Sequence, residues 1–250
     1  MTQIGPMLLL RIAAVALGSA AWNSALADEP RPVVVELFTS QSCYSCPPAE
    51  AFLGELAGRP GIVALEWHVD YWNDITYGSA GQWVDPFSNP EATRRQVGYN
   101  RTIRGTEGVY TPQMVFDGRL EAVGSRRADV ESALTEASAA PAAGTVTAVW
   151  SRDETLSVEI AGAAEQPAEI WLVRFLAEHT TEVQRGENHG KLLSNHHVVT
   201  AAEQLGTWSG GAAEFTAAGP AAGEGCAILL QAEGQGAILA SALCPDRPGS

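Results

Sequence analysis

Apolar positions run unbroken through Val33-Val34-Val35 and on through Leu37 and Phe38, the pattern of a strand buried on both faces. A polar turn, Thr39 to Ser42, follows. From Ala49 the apolar residues Ala49, Phe52, Leu53 and Leu56 recur at helical spacing. Pro47 and Pro48 fall in the first turn of that helix, where a missing N–H costs nothing. After the Arg59-Pro60-Gly61 turn, residues 62–69 predict a second buried strand, and an aromatic-rich insertion occupies residues 71–89. Ser88-Asn89-Pro90-Glu91 is a helix start, and Arg94, Arg95 and Arg101 are expected on that helix's solvated face. Residues 109–118 read as a strand entered through Thr111-Pro112 and closed by an Asp-Gly turn, with a helix over 128–137 behind it.

Beyond the small-residue linker 138–144 the period changes to two. Leu156, Val158 and Ile160 alternate with Thr155, Ser157 and Glu159, while Trp171, Val173 and Phe175 share one side of a longer strand. The region 144–245 therefore reads as an antiparallel sandwich. In its last hairpin a loop centred on Gln235 places Ile228 opposite Ala242, Leu230 opposite Ala240 and Cys226 opposite Cys244. That pairing predicts a structural disulfide, which stabilises by roughly 2–4 kcal/mol. The expected organisation is a leader over 1–27, an α/β domain over 28–140 and an all-β antiparallel sandwich domain over 141–250.

Composition narrows the setting. Met7 to Ala21 is apolar except for Arg11, and Ala25-Leu26-Ala27 offers a small-x-small cleavage site before Asp28, which reads as a secretory signal peptide. A secreted or periplasmic location would place all four cysteines in an oxidising compartment. Without the leader the chain carries 14 basic and 29 acidic residues, which argues against nucleic acid or an anionic membrane surface as partner. No later segment of the sequence is long and apolar enough to span a bilayer as a helix.

The chemistry centres on Cys43-Tyr44-Ser45-Cys46, a Cys-x-x-Cys pair at a strand-to-helix junction. The positive end of the helix dipole stabilises a thiolate at Cys43, the setting of a redox-active dithiol. His68 and Asp70 lie near the carboxyl end of the second strand, where α/β sites form. The adjacent His196 and His197 send their rings to opposite faces of a strand and read as structural. No second Cys-x-x-Cys or paired-His motif completes a zinc site, and no cofactor or metal set is expected.

Strand, helix, strand, helix, strand, with cysteines at the first junction and Thr-Pro before the last strand, resembles the thioredoxin superfamily over about residues 31–137. The resemblance implies that Cys43 is the exposed nucleophile and Cys46 the buried resolving thiol. Pro112 would be the cis-proline facing them, with the backbone of Thr111 pairing with substrate. Glu36 resembles the buried strand acid that assists proton transfer at the resolving cysteine. Tyr44, His68, Asp70 and Trp72 complete the candidate substrate-binding set. Four stretches are similar to an exported bacterial thioredoxin-like family described only as a domain of unknown function. They are Phe38-Thr-Ser-Gln-Ser-Cys-Tyr-Ser-Cys-Pro-Pro-Ala, Trp67-His-Val-Asp-Tyr-Trp, Val109-Tyr-Thr-Pro-Gln-Met and Gly186-Glu-Asn-His-Gly-Lys-Leu-Leu-Ser-Asn-His-His-Val-Val.

Three function classes follow. The first is an exported thiol–disulfide oxidoreductase acting on a protein or a small thiol or disulfide, with an unknown redox partner. The second is a copper-binding protein or chaperone using both thiolates and His68, since soft thiolates suit Cu(I). The third is a non-catalytic binding module that displays the aromatic loop.

Overall fold

Strand β1 (Val33–Thr39) is buried at every position, as its unbroken apolar run requires. In this computed structural model, which describes Met1, residues 31–151 and residues 155–248, β1 leads through the cysteine loop into helix α1 (Pro47–Ala57). The leader over 1–27 and its cleavage point lie, Met1 apart, outside the described residues. Helix α1 returns the chain to β2 (Ile62–His68), which pairs in parallel with β1, Val33 opposite Ile62 and Thr39 opposite His68. Helix α2 (Pro90–Tyr99) starts where Asn89 and Pro90 place it, with Asn89 Oδ1 accepting the Glu91 N–H at 2.8 Å. A π-helical turn, Asn100–Arg104, extends it. Then come β3 (Gln113–Phe116), antiparallel to β1, β4 (Leu120–Val123) and helix α3 (Arg127–Ser138).

The second half supplies β5 (Gly144–Trp150), β6 (Thr155–Gly162), β7 (Ala168–Glu182), β8 (Leu192–Trp208), β9 (Ala213–Ala218), β10 (Glu224–Ala232) and β11 (Ile238–Leu243). The final hairpin pairs Ile228 with Ala242 and Leu230 with Ala240, and Cys226 is bonded to Cys244. Sheet order corrects the expected architecture. One mixed eight-stranded sheet runs β11-β10-β7-β8-β2-β1-β3-β4, and β5-β6-β9 form a second sheet of three. About 43% of the described residues are strand and 19% helix. A thioredoxin-like α/β domain followed by a separate sandwich does not describe this molecule.

The physical reason lies in β8. It runs antiparallel to β7 along its length and on its other side meets the free edge of β2 in parallel, Glu66 opposite Val198. His197, at φ +51°, and a register shift at Arg174/Phe175 lie where β8 takes on this second partner. An edge that would otherwise expose unpaired N–H and C=O groups is thereby covered. Burial follows the same logic. Val34, Phe38, Leu65 and Trp67 share one core with Tyr99 of α2, Val173 and Phe175 of β7, and Ala227 and Leu229 of β10. On the opposite face of β1, Val35 and Leu37 pack with Phe52, Leu53 and Leu56 of α1 and with Val130 and Leu134 of α3. The three-stranded sheet covers the other side of β7 and β10, joining Leu156, Val158 and Ile160 to Ile170, Leu172, Ile228 and Leu230.

Candidate functional site

Cys43 and Cys46 are joined as a disulfide with Cα atoms 5.4 Å apart. The loop that carries them is wound tightly on itself. Ser40 O accepts the Cys43 N–H at 2.9 Å, Cys43 O accepts the Cys46 N–H at 3.2 Å, and Cys46 O accepts those of Ala49 and Glu50. Both cysteines are 0% exposed, whereas Tyr44 between them is 64% exposed. An exposed nucleophile at Cys43 is therefore not what the disulfide form presents. Thr111-Pro112 is a cis peptide bond. Because Phe38 pairs with Gln113, the Thr-Pro pair lies level with the end of β1. Pro112 O accepts the Gly124 N–H at 3.0 Å, and a Cβ at Gly124 would sit 3.1 Å from Ala49 Cβ, so this segment lies against the first turn of α1.

Behind the disulfide is a buried cluster of Glu50, Glu66, His68 and Asp85. Glu50 lies one helical turn beyond Cys46 and on the same face of α1, and its Oε1 accepts a hydrogen bond from Thr39 Oγ1 at 2.7 Å. Burial above all, and then the Glu66 charge, push the Glu50 carboxyl up to about 8. His68 Nδ1 lies 2.7 Å from Asp85 Oδ2. Its Nε2 is 3.3 Å from Glu66 Oε1, within ion-pair range though not aligned for a hydrogen bond. Burial opposes a charged imidazole, but the two acids outweigh it and raise the His68 pKa well above the ordinary value. Asp85 titrates below the usual carboxylate range: burial acts against this, and His68 with the Gln41 and Phe87 N–H groups overcomes it. Phe87 caps the imidazole edge-on at 5.4 Å between ring centres. With both ring nitrogens of His68 facing acids, no lone pair is turned toward the sulfurs, as a copper ligand would need.

Two candidate residues lie elsewhere. Glu36 is on the face of β1 opposite α1, where Arg95 Nε donates to it at 2.6 Å and the Tyr99 hydroxyl donates as well. Arg95 also reaches Gln231 of β10, and its side chain is only 10% exposed, so the solvated face expected for it belongs to Arg94 and Arg101. Glu36 serves as counter-ion in a buried network and is not placed beside Cys46. Asp70 lies past the end of β2 and accepts from Thr93 Oγ1 of α2 at 2.5 Å, away from His68. Trp72 packs on the core shared by both halves, beside Tyr71. His196 packs against Gly54 of α1, and His197 stacks on Phe175 at 4.3 Å.

Sequence reasoning missed the residues that hold the cysteine loop. Asp85 Oδ2 accepts the Gln41 N–H at 2.7 Å, and Trp83 O accepts from Ser42 Oγ at 3.0 Å. From the β7–β8 connection, Asn188 Nδ2 donates to Gln41 O at 2.9 Å and to Cys43 O at 3.0 Å, and Glu187 Oε2 accepts the Tyr44 N–H at 2.8 Å. A signal existed for Glu50 and Glu66: each is an acid set on an otherwise apolar face. None existed for contacts more than 140 residues apart in sequence.

The site thus defines a class, a mixed-sheet protein with a paired cysteine at a helix start and a buried acid cluster behind it. The chain belongs to the family described as "Protein of unknown function (DUF1223)", whose model matches residues 34–231. A crystal structure of an Agrobacterium tumefaciens protein is similar, with 29% identity and a TM-score of 0.69 over 90% of this chain and 98% of that one. HBP35 of Porphyromonas gingivalis shares the fold at 13% identity, with a TM-score of 0.56 over 86% of this chain and 74% of that one. No protein of curated function matches the chain.

Proposed function

We propose that the protein is an exported thiol–disulfide oxidoreductase that works through Cys43 and Cys46. The observation that carries this reading is the Cys43–Cys46 disulfide at the start of α1, one helical turn from the buried carboxyl of Glu50. In the reducing direction the Cys43 thiolate attacks a substrate disulfide, forming a mixed disulfide and releasing one substrate thiolate. Glu50, as carboxylate, takes the proton from Cys46, whose sulfur attacks Cys43 and expels the second substrate thiolate. The dithiol becomes a disulfide, the substrate disulfide becomes two thiolates that take protons from water, and Glu50 ends protonated. The opposite direction runs the same steps backward. A carboxyl held near 8 suits this exchange, because its proton affinity is close to that of a thiol, near 8.5. Pro112, Thr111, Tyr44 and Trp72 are the residues proposed to meet the substrate, a protein or a small thiol or disulfide. Glu36 and Asp70 have no part in this scheme.

Export accords with two disulfides and with a leader-like N-terminus, and no helix among the described residues is long and apolar enough to cross a membrane. The test is a Cys46→Ser protein expressed in an exporting host. It should accumulate mixed disulfides through Cys43, visible as partners released by reductant on non-reducing gels, and Cys43→Ser should form none. A Cys46→Ser protein that traps nothing, beside a wild type that exchanges with no disulfide substrate, would overturn the reading.

A further inference from the structure

The Gly186–Lys191 stretch, carried between β7 and β8, belongs to no step of the scheme above, yet it lies over the cysteine loop. Gly186, at φ +78°, donates its N–H to Ala80 O at 3.0 Å, and a Cβ there would sit 3.0 Å from Trp83 Cβ. Only glycine lets the segment come so close in that conformation. From this seat the fully buried Asn188 reaches the Gln41 and Cys43 carbonyls with one NH₂ group. Its own carbonyl, Oδ1, accepts from Lys191 Nζ at 2.8 Å. The same ammonium stands 4.2 Å from the centre of the Tyr44 ring. Lys191 is the one lysine in a chain with fourteen arginines.

We propose that Asn188 and Lys191 are positioning residues of the redox site. Asn188 fixes the backbone that carries the nucleophile, and Lys191, seated by that amide beside Tyr44, supplies the positive charge that favours the Cys43 thiolate. The inference rests on the oxidoreductase reading. The step concerned is the loss of a proton from Cys43 to water before attack. The charged groups that contact the loop or lie behind it enter the balance. Glu187, on the Tyr44 N–H, opposes the thiolate, as do Asp85 and Glu66 behind it; His68 offsets those two, and Glu50 is neutral until pH approaches 8. Lys191 is a cation on the outer side of the loop, facing the cysteine through one amide and one ring, while Arg185 of the same connection lies against Gly81.

The experiment uses the full chain carrying Cys46→Ser, in which Cys43 cannot close its internal disulfide and Cys226–Cys244 stays intact. Iodoacetamide alkylation of Cys43 is followed against pH, the midpoint reporting the thiolate equilibrium and the alkaline plateau reporting access. Lys191→Gln should move the midpoint to higher pH and lower the thiolate fraction at pH 7 about three- to tenfold, with the plateau unchanged. Lys191→Arg, which keeps the charge, should restore most of the lost fraction. Asn188→Ala should shift the midpoint in the same direction and also change the plateau, since the loop loses its clasp. Superimposable profiles for Lys191→Gln and its parent overturn the proposal, and so does an equal loss in the Gln and Arg variants, which would mark a packing role. Failure of the oxidoreductase reading shows separately, as wild-type protein that exchanges with no disulfide whatever its alkylation profile.

Discussion

Replacing Glu50 by Gln puts the buried acid to the test. Its folded-state pKa of about 8 stands against 4.5 for an unperturbed carboxyl. Below pH 4.5 both the folded and unfolded chains hold the proton, so the group adds no pH dependence. Between 4.5 and 8 only the unfolded chain releases it, so its effect on stability turns unfavourable as pH rises and levels off above 8. At pH 7 the unfolded chain has passed its pKa by about 2.5 units, which at about 1.4 kcal/mol per unit is about 3 kcal/mol as an upper bound. Gln keeps the oxygen that accepts from Thr39 Oγ1 and turns its NH₂ toward the acid cluster without ionising. Glu50→Gln should therefore be more stable than wild type at pH 7, by up to about 3 kcal/mol, and no more stable at pH 4.5. Urea unfolding from pH 4.5 to 8.5, followed by tryptophan fluorescence, measures the difference. A gain of equal size at every pH, or a loss at pH 7, would show that Glu50 is ionised in the folded protein. The thiol-like proton affinity on which its role as acceptor for Cys46 rests would fall with it.

Cys226→Ala with Cys244→Ala should cost roughly 2–4 kcal/mol in the same unfolding assay and leave the rate of disulfide exchange at the first pair unchanged, because that bond closes the last hairpin. Glu36→Gln leaves the buried guanidinium of Arg95 without its counter-ion and should destabilise by roughly 3 kcal/mol. It should not alter the exchange rate; a large loss of exchange at normal stability would return Glu36 to the chemistry.

What the sequence made legible was local. The Val33–Thr39 run, the prolines opening α1 and the Asn89-Pro90 start of α2 depend on near neighbours, and the structure places those elements there. The last hairpin was readable because Ile228, Leu230, Ala240 and Ala242 alternate about one turn. Non-local pairing was not readable. Nothing in the sequence of β8 says that Val198 will lie beside Glu66, and the small-residue linker at 138–144 looked like the end of a domain. Acids in apolar strands misled for a related reason. Glu36 and Glu66 look alike in sequence, each an acid within a buried run, and only packing decides which faces Arg95 and which faces His68.

Glu66 also explains why the site had to draw on both halves of the chain. Its Oε1 accepts from Asn195 Nδ2 at 2.7 Å and its Oε2 from the His196 N–H at 2.8 Å, both donors lying on β8. The same carboxyl faces His68, and its residue makes the pairing that joins β2 to β8. A carboxyl buried this deeply needs donors from more than one direction, and β2 alone leaves its outer edge open. The strand that closes this edge ends, at its other side, in the connection that brings Asn188 to Cys43. Satisfying one buried acid therefore fixes the register of β8, and that register aims the β7–β8 connection at the dithiol. The joint between the two halves and the support of the cysteine loop are consequences of the same hydrogen bonds.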